Sequence, residues 1–395
     1  MPHYRYLIVG GGMAGDTAAR GIREVDPIGT IGLISAEPYP PYNRPPLSKG
    51  LWKGQTLEDI WRDTRSLGVE LHLGRIATSL DPGKREVIDN QGTLYTFEKL
   101  LLATGGTPRK LPSGTGAEDR VVYFRTYDDY QRVRTMAAAG ERFAVIGGGF
   151  IGSEMAAALT MNGKRVVMIL MEEGVCGRLF PSGLARFVTE YYQERGVEVI
   201  TEDAVMTVEG CGEKTVLQTK AGRRIEVDGV VAGLGIRPNT DLAEQAGLPV
   251  DDGIAVDEYL QPGHPDIYAA GDVVKFYNPL LGKRIRVEHE DNANTMGQVA
   301  GRNMAGEATP YHHLPFFYSD LFDLGYEAVG ELDPQLETVE DWKEPYREGV
   351  VYYLEGGRVR GVLLWNVWGQ LDRARELIAQ PGPFTPAELK GRIPA

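Results

Sequence analysis

"YLIVGGGMAGDTAARGI", residues 6–22, sets the architecture of the chain. Tyr6–Val9 is a short apolar run of strand type, and it breaks on glycines at 10, 12 and 15. The small residues that follow suit a helix lying close to a sheet. A second strand, "TIGLIS" (30–35), comes next, and an acid, Glu37, stands 22 residues past Gly15. Each part has a physical task. Gly10 permits the sharp turn, Gly12 lets the backbone approach a pyrophosphate, and Gly15 lets helix and strand touch. The helix start offers N–H groups to the anion, and the acid accepts hydrogen bonds from a ribose diol. Strand, glycine turn, helix, strand and acid in that order predict a dinucleotide-binding unit.

The pattern recurs 137 residues later in "RFAVIGGGFIGSEMAAALTMNGKRVVMILMEE" (142–173). Strand Phe143–Ile146 leads into Gly147, Gly149 and Gly152, then a helix, then strand Arg165–Leu170 and the acid Glu172. Two complete fingerprints predict two dinucleotides. An acid with no arginine beside it favours NADH over NADPH, because a carboxylate repels a 2′-phosphate. Three more strands run into turns: "LLATGG" (101–106) with Thr104 and Gly105, "VVAGLGIRPN" (230–239) with Gly235, and "DIYAAGDVV" (266–274) with Asp272. Asp272 at a strand end suits the hydroxyls of a bound nucleotide cofactor or a water on its pyrophosphate, and a helix N-cap, a role that can coexist with either.

Composition narrows the rest. The 395 residues suffice for two or three domains. Lys+Arg 42 against Asp+Glu 55 leaves −13, which argues against nucleic acid as a partner. The basic pairs Lys164/Arg165, Arg223/Arg224 and Lys283/Arg284 read as solvated surface. Cys176 and Cys211 stand 35 apart with no CxxC, so neither a metal site nor a redox disulfide is expected. The apolar run at the N-terminus is too short for a signal peptide, and no stretch of about 18 apolar residues predicts a membrane span. A reducing, cytoplasmic setting is expected, and a homodimer is the default oligomer.

Taken in order, these motifs resemble the two-dinucleotide flavoprotein reductases, and within them the ferredoxin-reductase and apoptosis-inducing-factor branch. The residues that carry this are "YNRPPLSK" (42–49), "GGGFIGSE" (147–154), "RVEHEDNA" (286–293) and "FFYSDLFDLGYEAVGEL" (316–332). The resemblance implies an α/β chain with two Rossmann-like dinucleotide-binding domains, one inserted in the other, plus a small C-terminal α/β domain. The expected cuts are an FAD-binding domain at 1–110 and 235–305, an NAD-binding domain at 111–234, and the C-terminal domain at 306–395. "GGTPRKLPSGTG" (105–116) and "GIRPN" (235–239) are Gly/Pro-rich crossings of linker type.

The resemblance also gives a purpose to "SAEPYPPYNRPPLSKG" (35–50), which has five prolines in sixteen positions. Disulfide reductases of the superfamily carry one or two cysteines after the first acid, and this stretch has none. In the resembled branch Arg44 and Lys49 face the flavin, and Lys49 pairs with Glu154. A fixed cation there stabilises negative charge arriving at flavin N5, and prolines lessen the entropy lost in placing it. Read without the resemblance, Lys49 equally caps a helix or lies along the surface. Phe150 is implied to shape the nicotinamide slot, with ordinary packing as the other reading. Tyr318 falls where the branch has Trp. Glu288-His289 matches apoptosis-inducing-factor-like proteins, whereas ferredoxin reductases have Ser or Thr at 289; a satisfied core histidine is the other reading. Leu170 stands where many relatives place the ribose acid, so Glu172 is displaced. The expected activity is oxidation of NADH through FAD by an external acceptor: a ferredoxin-like carrier, or quinone or dioxygen. The alternative is an apoptosis-inducing-factor-like protein in which NADH gates partner binding.

Overall fold

The computed structural model describes residues 1–112 and 119–394, so residues 113–116 of the first crossing lie outside the described residues. The chain divides into two compact units. One is built from residues 1–43, 57–107 and 237–315, the other from 44–56, 108–236 and 316–395. The proline loop's Arg44–Thr56 portion and the C-terminal segment both group with the second unit.

The first unit is organised by a mostly parallel sheet. Val69–Leu73, Ile31–Ser35, His3–Val9 and Leu94–Leu102 lie side by side, and Ile267–Ala269 pairs with the last of these. These strands read as near-continuous apolar runs because both faces are covered; Leu7, Ile8, Leu33, Leu100 and Leu101 are fully buried. Helices Met13–Val25 and Glu290–Met304 pack at backbone distance. A Cβ on Gly301 would lie 2.1 Å from Ala18 O, and one on Gly297 2.4 Å from Ala14 O. Register then sets the site. Val9 is level with Leu102, and Leu102 with Ala269. The three chains that leave this level are the turn at Gly10, the Thr104-Gly105 turn and the Gly271-Asp272 turn.

The second unit repeats the plan. Its parallel sheet runs Val197–Ile200, Arg165–Ile169, Arg142–Ile146, Gly229–Ala232, Val121–Tyr123. Ile146 is level with Ile169 on one side and Ala232 on the other, so the second glycine turn also opens at the strand ends. A three-stranded antiparallel meander over Val205–Val227 completes this half. The C-terminal segment folds as one five-stranded antiparallel sheet, ordered Phe316–Leu321, Leu324–Gly330, Arg358–Trp365, Glu348–Glu355, Glu337–Glu344, with helix Leu371–Ala379 packed on it. Phe180, in the loop that precedes helix Ser182–Glu194, packs edge-on against Tyr326 (5.2 Å) and Trp365 (5.4 Å) and so ties that loop to the C-terminal sheet.

Candidate functional site

The two glycine turns are built alike. Gly10 has φ +129 and Gly147 φ +104, backbone that side-chain-bearing residues rarely adopt. A Cβ on Gly15 would sit 2.1 Å from Gly10 O, and one on Gly152 1.9 Å from Gly147 O, so each third glycine lets its helix close on its own turn. Gly12 and Gly149 differ. A Cβ on either would meet no described atom within 4 Å. Both are helix N-caps in extended conformation, and no described side chain caps either helix. Each turn therefore presents first-turn N–H groups beside empty space, which suits a pyrophosphate. The residues present fit one dinucleotide in each unit.

In the first unit Glu37 accepts a hydrogen bond from Tyr42 Oη at 2.6 Å, which fixes the acid at the end of the second strand. Thr104 and Gly105 are clamped by Asn239: Thr104 Oγ1 donates to Asn239 O (2.7 Å), Asn239 Nδ2 donates to Thr104 O (2.9 Å), and Asn239 N donates to Gly105 O (2.9 Å). Asp272 is half-buried at the third turn. Its carbonyl receives Arg286 Nη1 at 3.4 Å, and the same nitrogen holds Glu288 at 2.5 Å. His289 is the half-buried N-cap of helix Glu290–Met304 rather than a core residue, and its carbonyl accepts Ala293 N at 3.0 Å.

A cluster that the motifs did not announce supports the loop entrance. Asp16, fully buried on the first helix, receives Arg20 Nε (2.8 Å), Arg62 Nε (2.6 Å) and Thr64 Oγ1 (2.6 Å). Arg62 Nη1 reaches on to Asn43 Oδ1 at 2.8 Å. Burial alone would raise the Asp16 pKa. The hydrogen bonds from Arg20 and Thr64 and the charge of Arg62 outweigh it and hold the group below its ordinary range.

In the second unit the loop after Asn43 makes two short 3₁₀ turns, Pro45–Leu47 and Gly50–Trp52, with Lys49 between them. Leu47 and Trp52 are buried on either side, and the Trp52 indole donates to Leu47 O at 2.8 Å. The proline-rich sequence thus gives a braced arch rather than a floppy loop. Lys49 Nζ lies 2.6 Å from Glu154 Oε1. Glu154 is buried on helix Phe150–Met161 and takes two further donors, Ser319 Oγ on Oε1 (2.7 Å) and Ser48 Oγ on Oε2 (2.6 Å). Lys49 also stands 5.0 Å from the Tyr318 ring centre. Phe150 opens the same helix and meets Phe317 edge-on at 5.5 Å. Arg44 Nη1 donates to Arg125 O at 3.1 Å. Lys49, Glu154, Phe150 and Tyr318 therefore lie together around one buried carboxylate. Ser48 and Ser319 were missed by sequence reasoning, although both sit inside quoted motifs. Nothing local marks a serine as the donor to a carboxylate more than a hundred residues away.

Gly235 has φ +78 at the second crossing, where its carbonyl accepts Arg109 N at 2.8 Å. At the other end of the second fingerprint the structure corrects one expectation. Glu172 does have an arginine beside it: Arg178 Nε forms an ion pair with its carboxylate. Five residues of loop lie between the two, so the strand-end sequence alone did not show the contact. Leu170, at the end of the strand, is buried.

Comparison with known proteins decides the family. The model of pyridine nucleotide-disulphide oxidoreductases matches residues 4–297. The chain belongs to this family. The model of the C-terminal part of mitochondrion-associated apoptosis-inducing factor matches residues 300–345 and 340–380. Apoptosis-inducing factor 1, mitochondrial, of Dictyostelium discoideum is 35% identical over 95% of this chain and 78% of that protein. The 5,5′-dehydrodivanillate O-demethylase ferredoxin reductase subunit of a Sphingobium species is 35% identical over 91% of this chain and 89% of its own. Among solved structures, the covalent putidaredoxin reductase–putidaredoxin complex superposes with a TM-score of 0.90 at 30% identity, covering 98% of this chain and 95% of that one. As a family member the chain is an oxidoreductase using FAD and NADH, yet its thiols are not placed for disulphide chemistry. Cys176 is buried with its thiol pushed up to about 12 by burial, and Cys211 is exposed at a hairpin.

Proposed function

We propose that the chain is an FAD-dependent NADH reductase that hands electrons to a ferredoxin-like one-electron carrier protein. The observation that carries this reading is the buried Lys49–Glu154 pair on the stretch where disulphide-reducing relatives keep a thiol. With no thiol to receive electrons, the acceptor is external. The ferredoxin reductase subunit and putidaredoxin reductase among the similar proteins support that acceptor class. Bound FAD supplies the exchange between a two-electron donor and a one-electron acceptor. The chain's residues do the rest. Lys49 presents a fixed positive charge in a water-poor setting, Glu154 keeps that charge in place, and the two serines fix Glu154. Phe150 and Tyr318 supply aromatic faces for the nicotinamide. The glycine turns hold the two pyrophosphates, Glu37 and Glu172 the riboses, and Thr104, Gly105, Asp272, Glu288 and His289 the flavin side of the first unit. Arg44 and Gly235 complete the set.

A second reading draws on the C-terminal match and on His289: NADH oxidation is slow, and the reduced protein binds a partner. A panel experiment separates the two. The NADH-treated protein is mixed with ferredoxin-type carriers, a soluble quinone and dioxygen. Rapid reoxidation by one carrier is expected. Sluggish reoxidation by every carrier, with a long-wavelength absorbance that persists, would sink the reductase reading. Among the described residues no helix is long and apolar enough to cross a membrane. We place the chain in the cytoplasm, where two unpaired cysteines stay reduced, and expect a homodimer in sizing experiments.

A further inference from the structure

The second fingerprint ends in a way that a strict NADH site would not need. An NADH-selective site keeps an acid at the strand end to take both ribose hydroxyls and to repel a 2′-phosphate. Here the strand end is Leu170, buried and apolar, against which a Cβ on Gly148 would press at 3.0 Å. The acid comes two residues later, and Arg178 already neutralises it. Arg178 is largely exposed, with 73% of its side chain accessible, whereas Glu172 keeps only 19%. An ion pair whose cation lies largely in solvent contributes little net attraction, so the guanidinium is cheaply released to a better anion. A phosphate offers it a two-pronged, doubly charged acceptor.

The backbone that presents Arg178 is not a wandering surface loop. Cys176 N donates to Gly148 O at 2.8 Å, which ties this loop to the glycine turn itself. Val175 N donates to Thr189 Oγ1 at 2.9 Å. Leu179 N donates to Cys176 O at 2.9 Å, and Leu179 O accepts Tyr353 Oη at 2.7 Å. Cys176 takes φ +57, a conformation held only where the surroundings dictate it. Arg178 therefore has a fixed root and an exposed head, on a loop bonded to the second glycine turn. Beside Glu172, Met171 exposes 64% of its surface, an apolar platform of the kind a purine ring covers.

We propose that Arg178, parked on Glu172, serves as an exchangeable counter-charge that lets this unit accept a 2′-phosphorylated adenosine ribose as well as a plain one, so that NADPH is a substrate alongside NADH. With the plain ribose, Arg178 stays on Glu172 and the carboxylate's remaining lone pairs take a hydroxyl. With the phosphorylated ribose, Arg178 turns to the phosphate and offsets the repulsion from Glu172. This inference rests on reading the unit as the nicotinamide-nucleotide site.

The test is calorimetric and does not use turnover. ADP-ribose and 2′-phospho-ADP-ribose are titrated into the FAD-loaded protein, its Arg178→Ala variant and its Glu172→Gln variant. In the wild type the two dissociation constants are expected within about tenfold of each other. Arg178→Ala is expected to shift their ratio toward ADP-ribose by about tenfold or more, and Glu172→Gln to shift it the other way. The affinity of the wild type for the phosphorylated ligand should also fall more steeply with salt than its affinity for ADP-ribose. A wild type favouring ADP-ribose by about a hundredfold or more, or an Arg178→Ala variant with an unchanged ratio, overturns the proposal and leaves the nucleotide site standing. If neither ligand binds the wild type, the proposal falls together with the reading of the unit as that site.

Discussion

Lys49 and Glu154 depend on each other. A carboxylate that is 3% exposed is tolerable only with its lone pairs filled, and three donors fill them here. Removing one partner is therefore worse than weakening a contact. Glu154→Gln should lower stability by about 3 kcal/mol, because it leaves the Lys49 ammonium half-buried without its counter-charge; urea unfolding followed by tryptophan fluorescence measures it. Lys49→Met keeps the stem's volume and removes the charge. It should slow reduction by NADH by roughly ten- to a hundredfold, as loss of a preorganised charge does. Stopped-flow flavin absorbance reads this rate, and wild-type kinetics would remove Lys49 from the chemistry. At this scale the sequence was only half legible. Lys49 and Glu154 were named through a resemblance. The serines that fix Glu154, and Arg178 on Glu172, arise from contacts that chain folding creates and no local pattern encodes.

The two glycine turns are each built from a strand end and a helix start. Their glycines do different jobs, and substitution separates them. Gly152→Ala drives a Cβ to 1.9 Å from Gly147 O, a backbone atom that cannot swing aside. The helix must move off its strand, and a loss of about 3 kcal/mol is expected, at the upper end for overpacking. Gly149→Ala meets no described atom within 4 Å and its φ of −80 suits alanine. It should cost at most about 1 kcal/mol through the poorer N-cap, yet its methyl intrudes on the space left for an anion. Calorimetric binding of ADP-ribose together with thermal melting distinguishes the pair: Gly149→Ala keeps the melt and loses affinity, and Gly152→Ala loses the melt. An unaffected affinity in Gly149→Ala would separate this turn from pyrophosphate binding. Elements of this kind were the most legible part of the chain. Strand, turn and helix lie within about thirty residues, and a φ above zero or a 2 Å approach admits almost nothing but glycine. The Asp16–Arg62–Asn43 cluster was not legible, since its members come from three separate stretches whose only meeting point is the folded unit.

Across the whole molecule, each unit has a carboxylate that folding holds below its ordinary pKa, and acid should act on both. In the first it is Asp16, held below its ordinary pKa of 3.8 by its arginine and threonine partners against the opposing effect of burial. In the second it is Asp228. Burial would raise its pKa, but Lys214 and the backbone N–H groups of Arg142 and Glu141 outweigh this and lower it to about 2. Both N–H groups donate at 2.8 Å to one carboxylate oxygen, which pins the edge of the central strand Arg142–Ile146. A carboxyl that titrates lower when folded binds fewer protons than the unfolded chain over the interval between the two values. Its contribution is complete above about pH 4 and drains away as pH falls toward 2. The molecule should therefore lose stability steeply below pH 4. Asp228→Asn should be less stable than the wild type at pH 7, and the gap should close as pH falls, because the wild type loses on protonation what the variant already lacks. Urea midpoints at pH 7, 4 and 2.5 measure this, and a gap that stays constant with pH would remove Asp228 as the titrating group. Asp16→Asn tests the other unit with a different readout. If its network holds the first helix and the loop entrance together, the variant should release its flavin at a higher pH than the wild type, while the midpoint attributed to Asp228 stays where it was.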